Sequence, residues 1–307
     1  MQKFKSTFFL GFCMLYILLA FSEIYSGAWV QPKKGYYFKI SSNYLFTRKE
    51  FNHKGEKRGI REELAVFENP FFRDFSIIAY LEYGLTEKLT IVSELPFKVL
   101  TTEWTSSDSY TEGQVWSLNT VGFADFQLHG KYALMVLPIA LSIQTGIWIP
   151  LGYEKFPQNN GPALRTGEFA LEGNFLIGKS LYPLPLYFSA GFGYRVRGGR
   201  FNDEILFSAD IGNTNPSLIL KVYFEGVKST VTPPDLYGQP VVTPIPGGGG
   251  VVPEVLFGDQ DYFKINPSVI FEINQKIALQ FEASHTAFGR DIVSGTSYSV
   301  GLIWERR

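Results

Sequence analysis

The stretch 71–99 alternates between apolar and polar side chains and contains one tight turn. Apolar side chains occupy odd positions such as Phe75 and Ile77, and the alternation resumes after the polar turn Gly84–Lys88. Successive side chains of a strand point to opposite faces, so this period of two predicts two strands, each with one apolar face. Each arm is about ten residues long, which suits a tilted strand crossing a bilayer. The sequence therefore predicts a β-hairpin whose apolar face requires an apolar solvent.

The same alternation recurs along most of the chain. The further alternating segments are Gly35–Thr47, Val121–Tyr132, Ile139–Ile149, Glu168–Gly178, Leu186–Arg197, Glu204–Gly212, Leu218–Val227, Phe263–Ile273, Ile277–Ala287 and Thr296–Glu305. With the hairpin they make about twelve strands, an even number as expected for a single-chain outer-membrane barrel. We therefore predict an all-β fold: a single transmembrane, antiparallel, up-and-down β-barrel of about twelve strands in a bacterial outer membrane.

The connections between these segments alternate in length. The long ones are Arg48–Glu62, Thr101–Asn119, Pro150–Gly167, Lys228–Asp259 and Phe288–Gly295, and Gly198–Asn202 is a shorter member of this set. The short ones are Gly84–Lys88, Ala133–Pro138, Lys179–Pro185, Asn213–Ser217 and Asn274–Lys276. Short periplasmic turns and long outer loops are typical of such barrels.

A soluble β-sandwich is the alternative fold, because its strands also need one buried face. Aromatic residues near strand ends favour the barrel, since such residues form girdles at membrane interfaces. The girdle candidates are Tyr36, Tyr83, Tyr132, Trp148, Tyr187 and Trp304.

Residues 1–28 have the pattern of a secretory signal peptide. Lys3 and Lys5 precede an apolar run, and small residues offer cleavage after Ser22 or after Ala28. The barrel domain is then predicted to span residues 29–307. It contains no thiol, because the single cysteine of the chain lies within the signal.

Charge and composition define the expected partners. The formal net charge of −1 gives no basic footprint for a nucleic-acid partner. We expect instead outer-membrane lipid and lipopolysaccharide, the barrel-assembly machinery, and a small-molecule solute. The basic loop 48–61 could meet lipid phosphates, although simple solvation explains its charge equally well.

Trp304 is predicted to close the assembly signal of the last strand.

No motif points to catalysis. Ser284 and His285 are a candidate nucleophile and base, but neighbours in a strand point to opposite faces and cannot act together. The sequence has no metal-ligand spacing and no phosphate-binding glycine loop. We therefore predict no enzyme activity, no cofactor and no metal.

The chemistry that remains lies on the predicted inner wall. The candidates for lining the lumen and setting its selectivity are Asp125, Gln127, His129, Lys131, Arg195, Arg197, Glu204 and Asp210. Opposite charges on neighbouring strands pair by default, each pair contributing roughly 0.2–1 kcal/mol. Alternatively, some of these side chains line a water-filled pore. For any single residue, pairing is the better-supported interpretation.

Several short motifs resemble a known family. They are Gly27-Ala28-Trp29-Val30-Gln31-Pro32, Tyr36-Tyr37-Phe38-Lys39, Tyr83 to Thr90, Leu95-Pro96, Ile149-Pro150-Leu151-Gly152 and Gly193-Tyr194-Arg195. In this order they resemble the outer-membrane proteins grouped with the MetA pathway of phenol degradation. The resemblance implies a channel or transporter for passive uptake of small, apolar or aromatic molecules. A structural or surface-adhesion barrel with a closed lumen is the alternative function.

Overall fold

The computed structural model describes residues 27–62, 67–154, 161–199, 201–215, 217–230 and 259–306. Nearly all of the predicted signal peptide, residues 1–26, and most of the longest predicted loop, residues 231–258, lie outside this part of the chain. No helix in the described ranges is long and apolar enough to span a membrane.

Sixteen strands make up the described part of the fold. They are β1 (Tyr36–Thr47), β2 (Lys49–Phe51), β3 (Lys57–Gly59), β4 (Phe67–Gly84), β5 (Leu89–Ser106), β6 (Val115–Phe123), β7 (Phe126–Met135), β8 (Ala140–Ile149), β9 (Ala170–Ser180), β10 (Leu186–Arg197), β11 (Glu204–Asn213), β12 (Leu218–Ser229), β13 (Asp261–Asn274), β14 (Ile277–Arg290), β15 (Ile292–Ser294) and β16 (Thr296–Arg306).

Thirteen of these strands form one antiparallel sheet, which the β4–β5 pairing closes into a ring. β6 and β7 both pair with β5, at successive positions, and are separated only by Ala124 and Asp125. They are therefore two segments of one barrel strand, interrupted where the Ala124 amide donates to the Pro96 carbonyl. The barrel thus has twelve strands, and the predicted fold class and strand number are confirmed.

The predicted inside and outside faces are also found. On β10, for example, Phe192 is 63% exposed on the outer face whereas Arg195 is 8% exposed inside. Closure of the ring satisfies the backbone of every strand, so the apolar outer face can lie in lipid without unpaired edges.

The two ends of the barrel differ in their connections. At one end, called the turn end here, the described connections are residues 85–88, 136–139, 181–185, 214–215, 217 and 275–276. At the opposite loop end, they are residues 48–62, 107–114, 150–154, 161–169, 198–199, 201–203, 230, 259–260 and 291–295. The predicted loop Thr101–Asn119 is wrong in extent: most of it extends β5 and β6, because Thr101 to Thr105 pair with Val115 to Asn119.

The loop end is closed by an apolar cap. β15, β2 and β3 form a small separate sheet above the barrel. Val293 of this sheet, with Ile60 and Leu164 from two other loops, is buried against Phe72 and Leu100 of the inner wall. The loops therefore fold into the barrel mouth, because their apolar side chains find cover only there.

We expect the two faces of β14 to respond differently to the same new charge. Phe281 is 44% exposed on the outer face, where its ring lies 6.2 Å from that of Phe271, whereas Ser284 faces the lumen. A charge on the lipid face near the bilayer centre costs roughly 2–4 kcal/mol for Lys or Arg, and less for Asp. Phe281→Asp should therefore lower the free energy of unfolding much more than Ser284→Asp, measured in urea with folded protein in lipid vesicles. Equal losses would contradict the assigned faces.

Candidate functional site

In the part of the chain that the structure describes, two cavities of the lumen are stacked along the barrel axis. The outer cavity, about 270 Å³, lies toward the loop end and is lined by Phe72, Arg165 and Arg197 among others. The inner cavity, about 250 Å³, lies toward the turn end and is lined by Lys131 and Asp210 among others. Arg195 and Tyr262 line both cavities. The two spaces therefore meet at these side chains, which form the junction.

Arg195 is held at the junction by two carboxylates. Its Nε and Nη2 atoms lie 2.9 and 2.8 Å from Glu172, and its Nη1 atom lies 2.6 Å from Glu204. All three side chains are nearly buried. Pairing is what makes this burial possible, since an isolated buried charge is strongly destabilising. The guanidinium is consequently fixed in place rather than free to swing.

Arg197 continues this network toward the loop end. Its Nη1 atom lies 3.1 Å from the second oxygen of Glu204, and its Nε donates to the Asn202 carbonyl at 2.7 Å. Its Nη2 atom pairs with Asp259, which also accepts from the Asn202 amide group. The predicted residues Arg195, Arg197 and Glu204 therefore form one connected cluster.

Trp148 lies in the lumen between two guanidinium groups. The carbon centres of Arg165 and Arg195 are 3.9 and 4.1 Å from its ring centroid, and its Nε1 donates to Glu172 at 3.0 Å. Its predicted place in an outer aromatic girdle is therefore wrong. The period of two contained the correct signal, because Trp148 shares its face with the inward Gln144.

Asp125 binds two residues of the loop that follows β8. The Tyr153 hydroxyl donates to one of its oxygens, and Arg165 Nε lies 3.1 Å from the other. Burial and the neighbouring Asp125 carboxylate raise the pKa of Tyr153, so its hydroxyl stays protonated and keeps donating. The loop 161–169 is thus anchored inside the barrel, an outcome that strand periodicity alone does not reveal.

The remaining candidates on β7 face inward at other heights of the wall. Gln127 donates to Glu94 at 3.0 Å. His129 is 5% exposed, with its Nε2 atom 3.9 Å from Glu172. Both side chains fill the space beside the cluster without reaching the junction.

Lys131 forms a buried ion pair near the turn end. Its Nζ atom lies 3.3 and 3.5 Å from the two Glu82 oxygens, with both side chains at most 2% exposed. It also donates to the backbone carbonyl of Gly27 at 3.2 Å. Gln31 and Tyr80 donate to the same carboxylate at 3.1 and 2.6 Å. Glu82 therefore joins the barrel wall to the segment that precedes β1.

That segment, residues 27–35, lies across the lumen at the turn end and is called the N-terminal segment here. Ala28 is 1% exposed, and its carbonyl accepts from the Ser142 hydroxyl. The Trp29 ring meets Tyr187 edge to face at 6.0 Å, and Tyr187 donates to Asp210 at 3.0 Å. Tyr187 was predicted in the outer girdle, but it is 1% exposed and inward, so that prediction is wrong.

Two glycines give the N-terminal segment room to pass. A Cβ at Gly84 would come within 2.0 Å of the Pro32 carbonyl oxygen, and one at Gly178 within 2.7 Å of the Trp29 ring. Side chains at these positions would displace the segment, because real Cβ atoms do not approach other atoms so closely.

The two cavities carry opposite charge. Among the described residues, the outer wall has five cations and two carboxylates: Lys98, Arg165, Arg195, Arg197, Lys264, Asp74 and Glu204. The inner wall, counted in the same ranges, has two cations and four carboxylates: Lys131, Arg195, Glu82, Glu172, Asp210 and Glu225. Arg195 therefore stands where the sign of the wall changes.

All eight residues predicted for the lumen face inward, and most of them are paired. Their arrangement agrees with the pairing interpretation, while a role in selectivity stays a prediction.

Ser284 lines the outer cavity, whereas His285 is exposed outside with its Nδ1 atom 2.8 Å from the Thr296 hydroxyl. No group of three potential metal ligands is found within the described ranges.

We expect removal of one partner of the Lys131–Glu82 pair to destabilise the barrel more than removal of both partners. Removing one partner of a buried pair costs roughly 3–5 kcal/mol, because the other charge is left without compensation. Glu82→Met should therefore destabilise the barrel by about that amount in urea unfolding. The double variant Glu82→Met/Lys131→Met should recover part of the loss. A double variant no more stable than the single one would contradict the pairing energetics.

We also expect the mature chain to retain Gly27 and Ala28. Their carbonyl groups are bound by Lys131 and Ser142 inside the barrel, so cleavage after Ala28 would remove both acceptors. Of the two predicted sites, cleavage after Ser22 keeps these contacts, although that position lies outside the described residues. Intact-mass measurement of the protein purified from membranes checks this expectation, and a chain beginning at Trp29 would contradict it.

Comparisons with known proteins show the fold alone. No protein-family model matches the sequence, and no curated protein matches it, so the family named from the short motifs stays a prediction. The barrel is similar to an outer membrane channel from Pseudomonas putida, with a TM-score of 0.60, 12% identity, and coverage of 92% of this chain and 100% of that one. It is also similar to the transport unit of the autotransporter AIDA-I from Escherichia coli, with a TM-score of 0.51, 9% identity, and coverage of 95% and 97%. The chain thus has the twelve-stranded barrel fold found among outer-membrane transport proteins.

Proposed function

We propose that the protein is an outer-membrane channel for passive uptake of small apolar or aromatic molecules. The observation that carries this proposal is the pair of cavities that meet at Arg195 and Tyr262 inside a closed barrel. Together they follow the axis from the loop-end cap to the N-terminal segment. A solute path along this axis requires both caps to move.

The outer surface supports a location in the bacterial outer membrane. Large apolar side chains are exposed on strands around the ring, for example Ile77, Phe192, Phe207 and Val300. Such an exposed apolar surface marks contact with lipid or a partner. The long loops would then face the cell exterior, where lipopolysaccharide is a partner, and the short turns the periplasm.

The composition of the lumen supports a small solute. Neither cavity exceeds a few hundred Å³, so long or branched molecules are excluded without large rearrangement. The outer cavity combines apolar side chains such as Phe72 and Leu164 with charged ones. Charges of both signs keep the path hydrated, and their balance rejects neither ion sign strongly.

The alternative is a structural or surface-adhesion barrel without transport. Its supporting observation is that both ends of the lumen are occupied, by the apolar cap and by the N-terminal segment. In this alternative, the ion pairs serve only to neutralise the interior.

The two functions differ in conductance and uptake. The channel predicts a small, weakly ion-selective conductance in planar bilayers and faster phenol uptake by cells that express the protein. Tyr262→Trp enlarges a side chain at the junction and should lower both values. Phe288→Trp, on the exposed outer face at 69% exposure, is the matched control and should lower neither. Absence of conductance, together with unchanged uptake on deletion, would favour the closed barrel.

A further inference from the structure

The wall of the outer cavity carries more cations than carboxylates. Arg165 pairs with Asp125, and Lys264 pairs with Glu225 at 3.4 Å. Neither of these carboxylates lines the outer cavity, since Asp125 lines neither cavity and Glu225 lines the inner one. The cationic groups therefore line the cavity while some of their carboxylate partners lie outside its lining.

Arg165 is the most accessible of these paired guanidinium groups. Its side chain is 38% exposed, whereas those of Arg195 and Arg197 are 10% and 8% exposed. Its Nε atom is directed to Asp125, and its flat face lies on Trp148. Stacking and the ion pair orient the group before any ligand arrives, which lowers the entropy lost on binding.

The lining of the same cavity also includes the apolar side chains of Phe72, Leu164, Phe201, Ile292 and Val293. The Phe201 ring centroid lies 5.1 Å from the guanidinium carbon of Arg197, so apolar and cationic groups are neighbours in this wall. A ligand that fills the cavity therefore meets both kinds of group. The two requirements are an anionic group and a compact apolar body within about 270 Å³.

We propose that the outer cavity is a binding site for small carboxylates with an apolar body, of which monoaryl carboxylates such as benzoate are the type. This inference rests on the proposed uptake function and names the substrate class for it. Arginine is well suited to the role, because its planar group matches a carboxylate in geometry and charge. The cavity discriminates against amines by repulsion. Neutral aromatic molecules bind it more weakly, because they form no ion pair with the cations of the wall.

The charge of the inner cavity opposes further passage of an anion that is bound in the outer cavity. Its wall is net negative in the described ranges, so a bound carboxylate meets repulsion beyond Arg195. The ligand is therefore concentrated in the outer cavity before it passes the junction.

Calorimetric titration of the purified full-length barrel in detergent tests the site with three probes of similar size: benzoate, benzyl alcohol and benzylamine. Benzoate should bind most tightly, and increasing salt should weaken it selectively. Arg165→Gln should weaken benzoate binding about tenfold or more while leaving benzyl alcohol unchanged. Arg165→Lys should restore part of the affinity. The matched control Arg48→Gln removes an exposed loop cation that does not line the cavity and should have no effect.

Lys98→Gln gives a second test if Arg165→Gln does not fold, because Asp74, the partner of Lys98, still accepts from Ser76. Benzyl alcohol binding as tightly as benzoate, or benzoate binding that neither variant weakens, would overturn the assignment. Conductance and phenol uptake are measured separately. Conductance without benzoate binding would refute only the proposed carboxylate site. Benzoate binding without conductance or uptake would refute only the proposed channel.

Discussion

Neutralisation of charge inside a closed wall is the constraint on which the structure depends. A twelve-stranded ring encloses the inward half of every strand, and polar side chains there lose most of their water. Arg195 between Glu172 and Glu204, and Lys131 against Glu82, satisfy this constraint with direct ion pairs. The same pairs position the side chains that surround the cavities. The contacts that neutralise the interior therefore also shape the cavities.

The two caps satisfy the same constraint with parts of the chain that lie outside the barrel strands. At the loop end, Leu164 and Val293 cover apolar side chains of the wall. At the turn end, the carbonyl groups of Gly27 and Ala28 accept from Lys131 and Ser142. Backbone acceptors thus complete the hydrogen bonding of Lys131 and Ser142 at the turn end. The caps are consequently part of the polar network and not separate additions.

The sequence predicted the barrel well because the period of two is imposed by geometry on every strand. The same period also placed all eight lumen candidates, including Asp125 and Asp210, on the inner wall. The girdle prediction failed for Trp148 and Tyr187, because the general preference of aromatic residues for membrane interfaces was given more weight than the position of these residues in the alternation. The period of two could not place Arg165, because loop residues have no period and their position depends on long-range packing.

The opposite charge of the two cavities gives the lumen an electrical polarity. In the proposed channel, a voltage positive at the turn end would drive anions first into the outer cavity and cations first into the inner one, so carriers would accumulate on both sides of Arg195. With the voltage reversed, each ion would first meet the cavity whose lining carries more charges of its own sign, and the junction would be depleted. Such a channel would act as a rectifier, because its resistance would depend on the direction of the current.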